Sequence, residues 1–207
     1  MVFQFDGRLF WNRIVSSLIE KLLPIAADQY GYFSSKQASC LDVTPTNIKN
    51  LVKRCSLEVV YDQVYKIDSF PFYENSQLAS AIAWTDGFGC LIDETALELW
   101  NICDINPRKI HIGVPTNYTI TKEVPKLFVI DHIDTDQLFI WAVQNIPIIM
   151  PADAIDRCID KYVRSDLLLQ AIDTACKIGE MTYGREDGLR SKLRNRSRSS
   201  TVMGPKG

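Results

Sequence analysis

The chain has 207 residues, 46% of them hydrophobic, and a formal net charge of -2, enough for one or two domains with a real core. No stretch reaches the ~18 uncharged apolar residues of a membrane span, and the opening MVFQFDGRLFWNR has an early Asp and no long apolar run, unlike a signal peptide. The charge is uneven, with a net of +1 over residues 1–68, -8 over 69–184 and +5 over 185–207, which points to separate tasks for head, body and tail.

Residues 8–29 read as a first helix with an apolar stripe of Leu18, Ile19, Leu22 and Leu23, kinked or broken at Pro24 and ended by Gly31 in a left-handed conformation. Ser34 followed three residues later by Gln37 has the form of a capping box, so a short second helix is expected there. Thr44 then caps a third helix with Pro45 at its first position, where a missing N–H costs nothing. In that helix Ile48, Leu51 and Val52 share one face, while Thr46, Asn50 and Lys53 lie opposite, flanked by Asn47, Lys49 and Arg54. LEVVYDQVYKI follows as a hairpin turning at Asp62-Gln63, in which Lys66 and Gln63 are the polar residues suited to reach a phosphate or minor groove while Glu58 and Asp62 would repel it, so a weak contact at most is expected there.

Three short helices and a hairpin within residues 1–70 describe a winged helix-turn-helix. Its third helix offers amides and cations, the groups that bond base edges and phosphates in a major groove. Thr46, Asn47, Lys49, Asn50, Lys53, Arg54 and Lys66 are therefore the candidate contacts to double-stranded DNA. A head with a net of only +1 gives a weak electrostatic term, which argues for a homodimer or a second contact.

SFPFYENS, residues 69–76, is a polar-aromatic connector. Beyond it two helices are expected, with Asn75 or Ser76 and Asp93 as caps. Four short β-rich runs come next: RKIHIGVP, KLFVIDHI, QLFIWAV and IPIIMP. Two helices close residues 71–184, PADAIDRCIDKYV and SDLLLQAIDTACKIG, so the fold class is α+β with one small sheet backed by helices. From residue 185 to 207 the apolar period is lost, and the basic end is expected to be disordered.

The segment GYFSSKQASCLDVTPTNIKNLVKRCSLEVVYDQVYKI resembles the N-terminal winged helix of AbiEi-type antitoxins. That family carries a Gly-hydrophobic-hydrophobic-(Ser/Thr) opening, an Ala-rich second helix, a recognition helix and a glycine-containing wing. Here Cys55-Ser56-Leu57 stands where the glycine turn would be, DQVYKI stands for the glycine-valine-tyrosine strand, and both wing glycines are absent. IHIGVP and NIPIIMPADAIDRCID resemble the family's second domain, so the likeness spans residues 20–175. It implies a transcription regulator that binds operator inverted repeats, represses its own operon and acts as the antitoxin of a type IV toxin–antitoxin system. The implied toxin is nucleotidyltransferase-like and forms no stable complex with its antitoxin.

Enzymatic chemistry finds little support. Asp93-Glu94 and the run DHIDTD, with Asp131, Asp134 and Asp136, could be imagined as metal carboxylates, but a nuclease or transferase needs carboxylates converging from separate strand ends. DGFGC lacks the Lys and Ser/Thr of a phosphate-binding loop. The six cysteines (Cys40, Cys55, Cys90, Cys103, Cys158, Cys176) form no C-x-x-C pair, and His111 and His132 lack zinc-ligand spacing. The thiols read as buried or half-buried in a reducing cytoplasm. No metal or other cofactor is expected, and neither histidine has a neighbour that marks it. Two readings remain open. One is the DNA-binding regulator of antitoxin type, or a general winged-helix repressor without a toxin. The other is a protein-interaction module using the same helical face and the acidic body.

Overall fold

The computed structural model describes residues 7–202, with side chains placed from 15 to 196. The reading of the extreme N-terminus as no signal peptide lies outside these residues. The chain is α+β and divides into two units, one of residues 1–89 with 119–125 and the other of residues 90–118 with 126–207. Among the described residues no helix is long and apolar enough to cross a membrane.

The first unit runs α1 (Gly7–Asp28), β1 (Tyr32–Ser34), α2 (Ser35–Ser39), α3 (Pro45–Lys53), β2 (Leu57–Tyr61), β3 (Val64–Ile67) and α4 (Ser76–Trp84). Pro24 lies inside α1 and does not end it. The helix ends instead where Tyr30 and Gly31 both take positive φ, 60° and 91°. Gly31 is required there, since a Cβ would sit 2.6 Å from Phe70 Cβ.

The capping box forms as the sequence implies. Ser34 Oγ accepts from Gln37 N at 3.2 Å, and Gln37 Oε1 accepts from Ser34 N at 2.9 Å. Three antiparallel strands in the order β1-β3-β2 close the unit. Leu22 and Ala26 of α1, Phe33 of β1, Ala38 of α2, Ile48 and Leu51 of α3, and Leu57 and Ile67 of the hairpin make one buried core. Burying side chains of that size is favourable by about 1.5–3 kcal/mol each, and it fixes α3 by its apolar face. Helix α4, which follows the connector, packs on β1 and β3 and so belongs to this unit.

The second unit contains β4 (Cys90–Leu91), α5 (Asp93–Leu99), β5 (Ile110–Pro115), β6 (Phe128–Ile133), β7 (Ile140–Val143), β8 (Ile146–Ile149), α6 (Pro151–Asp160), α7 (Ser165–Lys177) and α8 (Tyr183–Val202). Its sheet is mixed, in the order β6-β5-β4-β8-β7. The β5–β6 and β4–β8 pairs are parallel, and β4–β5 and β7–β8 antiparallel. Gly113 allows β5 its close packing, because a Cβ there would meet Ile133 Cδ1 at 2.4 Å.

Up to Val202, where the described residues end, helix α8 corrects the expectation of a disordered tail. Leu189 and Leu193, four residues apart, are both only 3% exposed, and the helix packs on α6 and α7. Its cations meet the acidic faces of those helices. Arg185 pairs with Asp153, and Arg190 with Asp173 and Glu186. Lys192 Nζ lies 2.9 Å from Asp156 and 2.8 Å from Asp160. Arg196 donates to Ile159 O at 3.0 Å and to Ser165 Oγ at 2.7 Å. Part of the basic tail and part of the acidic body are thus two sides of one internal network.

Candidate nucleic-acid interface

Helix α3 is set by its own ends. Thr44 Oγ1 accepts from Asn47 N at 3.3 Å, Pro45 occupies the first turn, and Arg54 N–H closes the last turn on Asn50 and Leu51 carbonyls. Asp42 and Cys55, at φ 59° and 55°, turn the chain into and out of it. With Ile48 and Leu51 buried, Thr46, Lys49, Lys53 and Arg54 are exposed, while Asn47 and Asn50 are half-buried. Neither Lys49 nor Lys53 has an ion-pair partner among the described residues. Six of the seven candidate contacts therefore sit together on one short helix and its C-terminal end.

Lys66 is the exception and is corrected. It lies on β3, the central strand of the three, is only 9% exposed, and donates from Nζ to Phe70 O at 2.7 Å. Little exposed and with its amine bonded to a carbonyl of its own unit, Lys66 is poorly placed to reach a phosphate. The hairpin tip turns at Gln63 with φ 62°; Asp62 is exposed beside it, and Glu58 is exposed near the other end of β2. Non-glycine residues thus hold left-handed backbone before the hairpin, at Cys55, and at its tip, at Gln63, each costing roughly 1 kcal/mol.

The carboxylates weighed as metal ligands are placed differently from that idea. Asp93 does not cap α5 by its side chain. It follows Ile92, the capping residue, at φ 53° and is fully buried. Arg157 Nε donates to Asp93 Oδ1 at 2.7 Å, and Arg157 Nη2 to Asp131 Oδ2 at 2.8 Å. Lys161 Nζ donates to both carboxylates, at 2.7 and 2.5 Å. Burial disfavours the ionised Asp93. His111 nearby and the direct bonds from Arg157 and Lys161 outweigh it and hold its carboxyl below the usual carboxylate range. At 3.7 Å from Asp93, His111 adds less than the two direct bonds.

Two carboxylates and two cations neutralise each other there, and no group of three His, Cys, Asp or Glu among the described residues could hold a metal ion. Asp134 instead caps a short 3-10 turn, accepting from Asp136 N at 3.2 Å. Contrary to the sequence reading, His111 does have marking neighbours, Asp93 and Glu94. The thiols also differ, since Cys40 and Cys55 are exposed. Burial pushes Cys90 up to about 12 and Cys103 up to about 11, so neither supplies a thiolate.

What the sequence reading missed is the network that Asp131, Arg157 and Lys161 build around the buried Asp93. Its members lie up to 68 residues apart. Only Arg157 and Lys161, one turn apart on and just past α6, leave a local trace.

No family model matches the chain, and no curated protein matches it. Among solved structures it is similar to the RV2827C protein of Mycobacterium tuberculosis, at 14% identity and a TM-score of 0.43, over 87% of this chain and 80% of that one.

Proposed function

We propose that the first unit is a winged helix-turn-helix that binds double-stranded DNA through α3. On this reading the chain is a cytoplasmic transcriptional regulator of AbiEi antitoxin type, not an enzyme. The observation that carries it is the pairing of faces on α3: Ile48 and Leu51 are fixed in the core, while Thr46, Lys49 and Lys53 project outward with neither lysine paired to a carboxylate. Unpaired surface cations can release the counterions of a phosphate backbone, whereas cations already held by carboxylates cannot do so without losing those bonds. Half-buried Asn50 has the limited freedom that bidentate reading of an adenine edge requires.

Repression of its own operon through operator inverted repeats, and antagonism of a nucleotidyltransferase-like toxin, follow from the resemblance of the first unit and of the strand-to-helix passage NIPIIMPADAIDRCID. A mobility-shift titration of the full chain on duplex from its own upstream region, at several salt concentrations, tests the DNA reading. Specific binding that weakens steeply with salt is expected. Equal, weak binding to upstream and scrambled duplex would reject the regulator. A nucleotidyltransferase-like gene beside this one, whose toxicity is relieved by co-expression of this chain, would separate antitoxin from general repressor.

A further inference from the structure

The five-stranded sheet of the second unit has unequal edges. At one end β6 carries Asp131 and His132. At the other, β7 lies in a nine-residue run, QLFIWAVQN from 137 to 145, with no charged side chain. Phe139 is 62% exposed and Trp141 54%, their rings stacked at 6.1 Å, and Ile140 on the opposite face is 38% exposed. Edge strands are ordinarily protected by a Lys, a Pro or a bulge. β7 has none, and its register with β8 runs unbroken from Ile140↔Ile149 to Val143↔Ile146.

We infer that β7 is a self-association surface, on which a second copy of this chain pairs its own β7 antiparallel across a two-fold axis. The strand needs a partner that is extended, uncharged and apolar on both faces, and β7 itself meets each condition. Antiparallel self-pairing forms every contact twice and closes the assembly at two copies. Charge does not oppose it, because the second unit holds fourteen Lys and Arg against fifteen Asp and Glu, a net of -1. Stacked Phe139 and Trp141 would meet the same pair of the partner across the axis, the cross-strand arrangement that favours aromatics.

The area sets the strength. Aromatic side chains bury about 150–250 Å² each when fully covered. Two per copy, already about half covered, fall well short of the roughly 1,200–2,000 Å² of a stable complex. The dimer is therefore weak and concentration-dependent.

Sedimentation velocity on the full chain, without DNA, tests this over concentrations rising into the millimolar range. Wild type should shift reversibly from monomer to dimer. Trp141→Lys, which sets like charges close to the axis, should weaken the dimer about tenfold or more. Trp141→Phe should retain it. Val59→Lys, at an exposed strand position of the first unit, should leave it unchanged. A chain that stays monomeric throughout, or a dimer as strong with Trp141→Lys as without it, would overturn the inference. Because no DNA is present, neither result bears on the reading of α3.

Discussion

Helix α3 carries two lysines and helix α8 a lysine and several arginines, yet their surroundings differ in kind. Lys49 and Lys53 of α3 face outward with no carboxylate partner among the described residues. Arg185, Arg190 and Lys192 of α8 each meet at least one carboxylate from α6, α7 or α8 itself. By composition alone α8 is the more basic of the two and looks the better phosphate binder. Three of its charges, however, are already held by carboxylates within the protein, while neither lysine of α3 is. A cation's neighbours, rather than its presence, decide whether it can neutralise DNA.

The largest effect that sharpens this contrast concerns the network around the buried Asp93. Asp93→Asn keeps the side-chain shape and the tolerance of left-handed backbone, but leaves Arg157 and Lys161 facing Asp131 alone. Only Asp93 of the four is buried, and its partners keep some solvent, so the cost is set below that of a fully buried pair, at about 2–3 kcal/mol, which thermal unfolding at neutral pH should register. Since the folded-state pKa of Asp93 is lowered, its contribution is fully present above the unfolded value of about 4 and is lost as pH falls through the folded value. The gap between wild type and variant should therefore narrow below about pH 4. A gap that stayed constant with pH would assign the cost to packing instead. Duplex affinity of the folded variant should not change.

Asn50→Ala comes next, with an expected loss of about 1–3 kcal/mol at a specific site and a relaxed base preference there. Unchanged affinity in a competition titration would remove Asn50 from the interface. Smallest is Gln63→Gly at the hairpin tip. Relief of its positive φ, partly offset by the added freedom of glycine in the unfolded chain, should raise stability by about 0.5–1 kcal/mol. Duplex affinity should be untouched, and a marked loss would mean that the hairpin tip takes part in binding.

Local chemistry was legible in the sequence. Ser34 with Gln37, Thr44 with Pro45, and the β-rich runs around Asp62-Gln63 each depend on neighbours within a few residues, so α2, α3 and the hairpin could be read directly. Features set by distant partners could not. Lys66 looked available because β1 went unread, and it is β1 on the far side of β3 that makes β3 central. Helix α8 looked disordered because its partners Asp153, Asp156, Asp160 and Asp173 lie on two earlier helices. Only the Leu189/Leu193 spacing and the Glu186–Arg190 pair hinted at it. Asp93 looked like a cap because its bonds to Arg157 and Lys161 span 64 and 68 residues.

The contrast between the two helices is tested most directly by the salt dependence of binding to a single duplex. Affinity would be measured across a range of salt for wild type, for Lys49→Ala with Lys53→Ala, and for Arg190→Ala with Lys192→Ala. Each phosphate left without its cation lowers the slope of log affinity against log salt by about 0.9, so the α3 pair should flatten it by about 1.8. The α8 pair should leave the slope unchanged, its cost appearing only as a modest loss of folding stability. A slope flattened by the α8 pair and left intact by the α3 pair would contradict the assignment of DNA contact to α3.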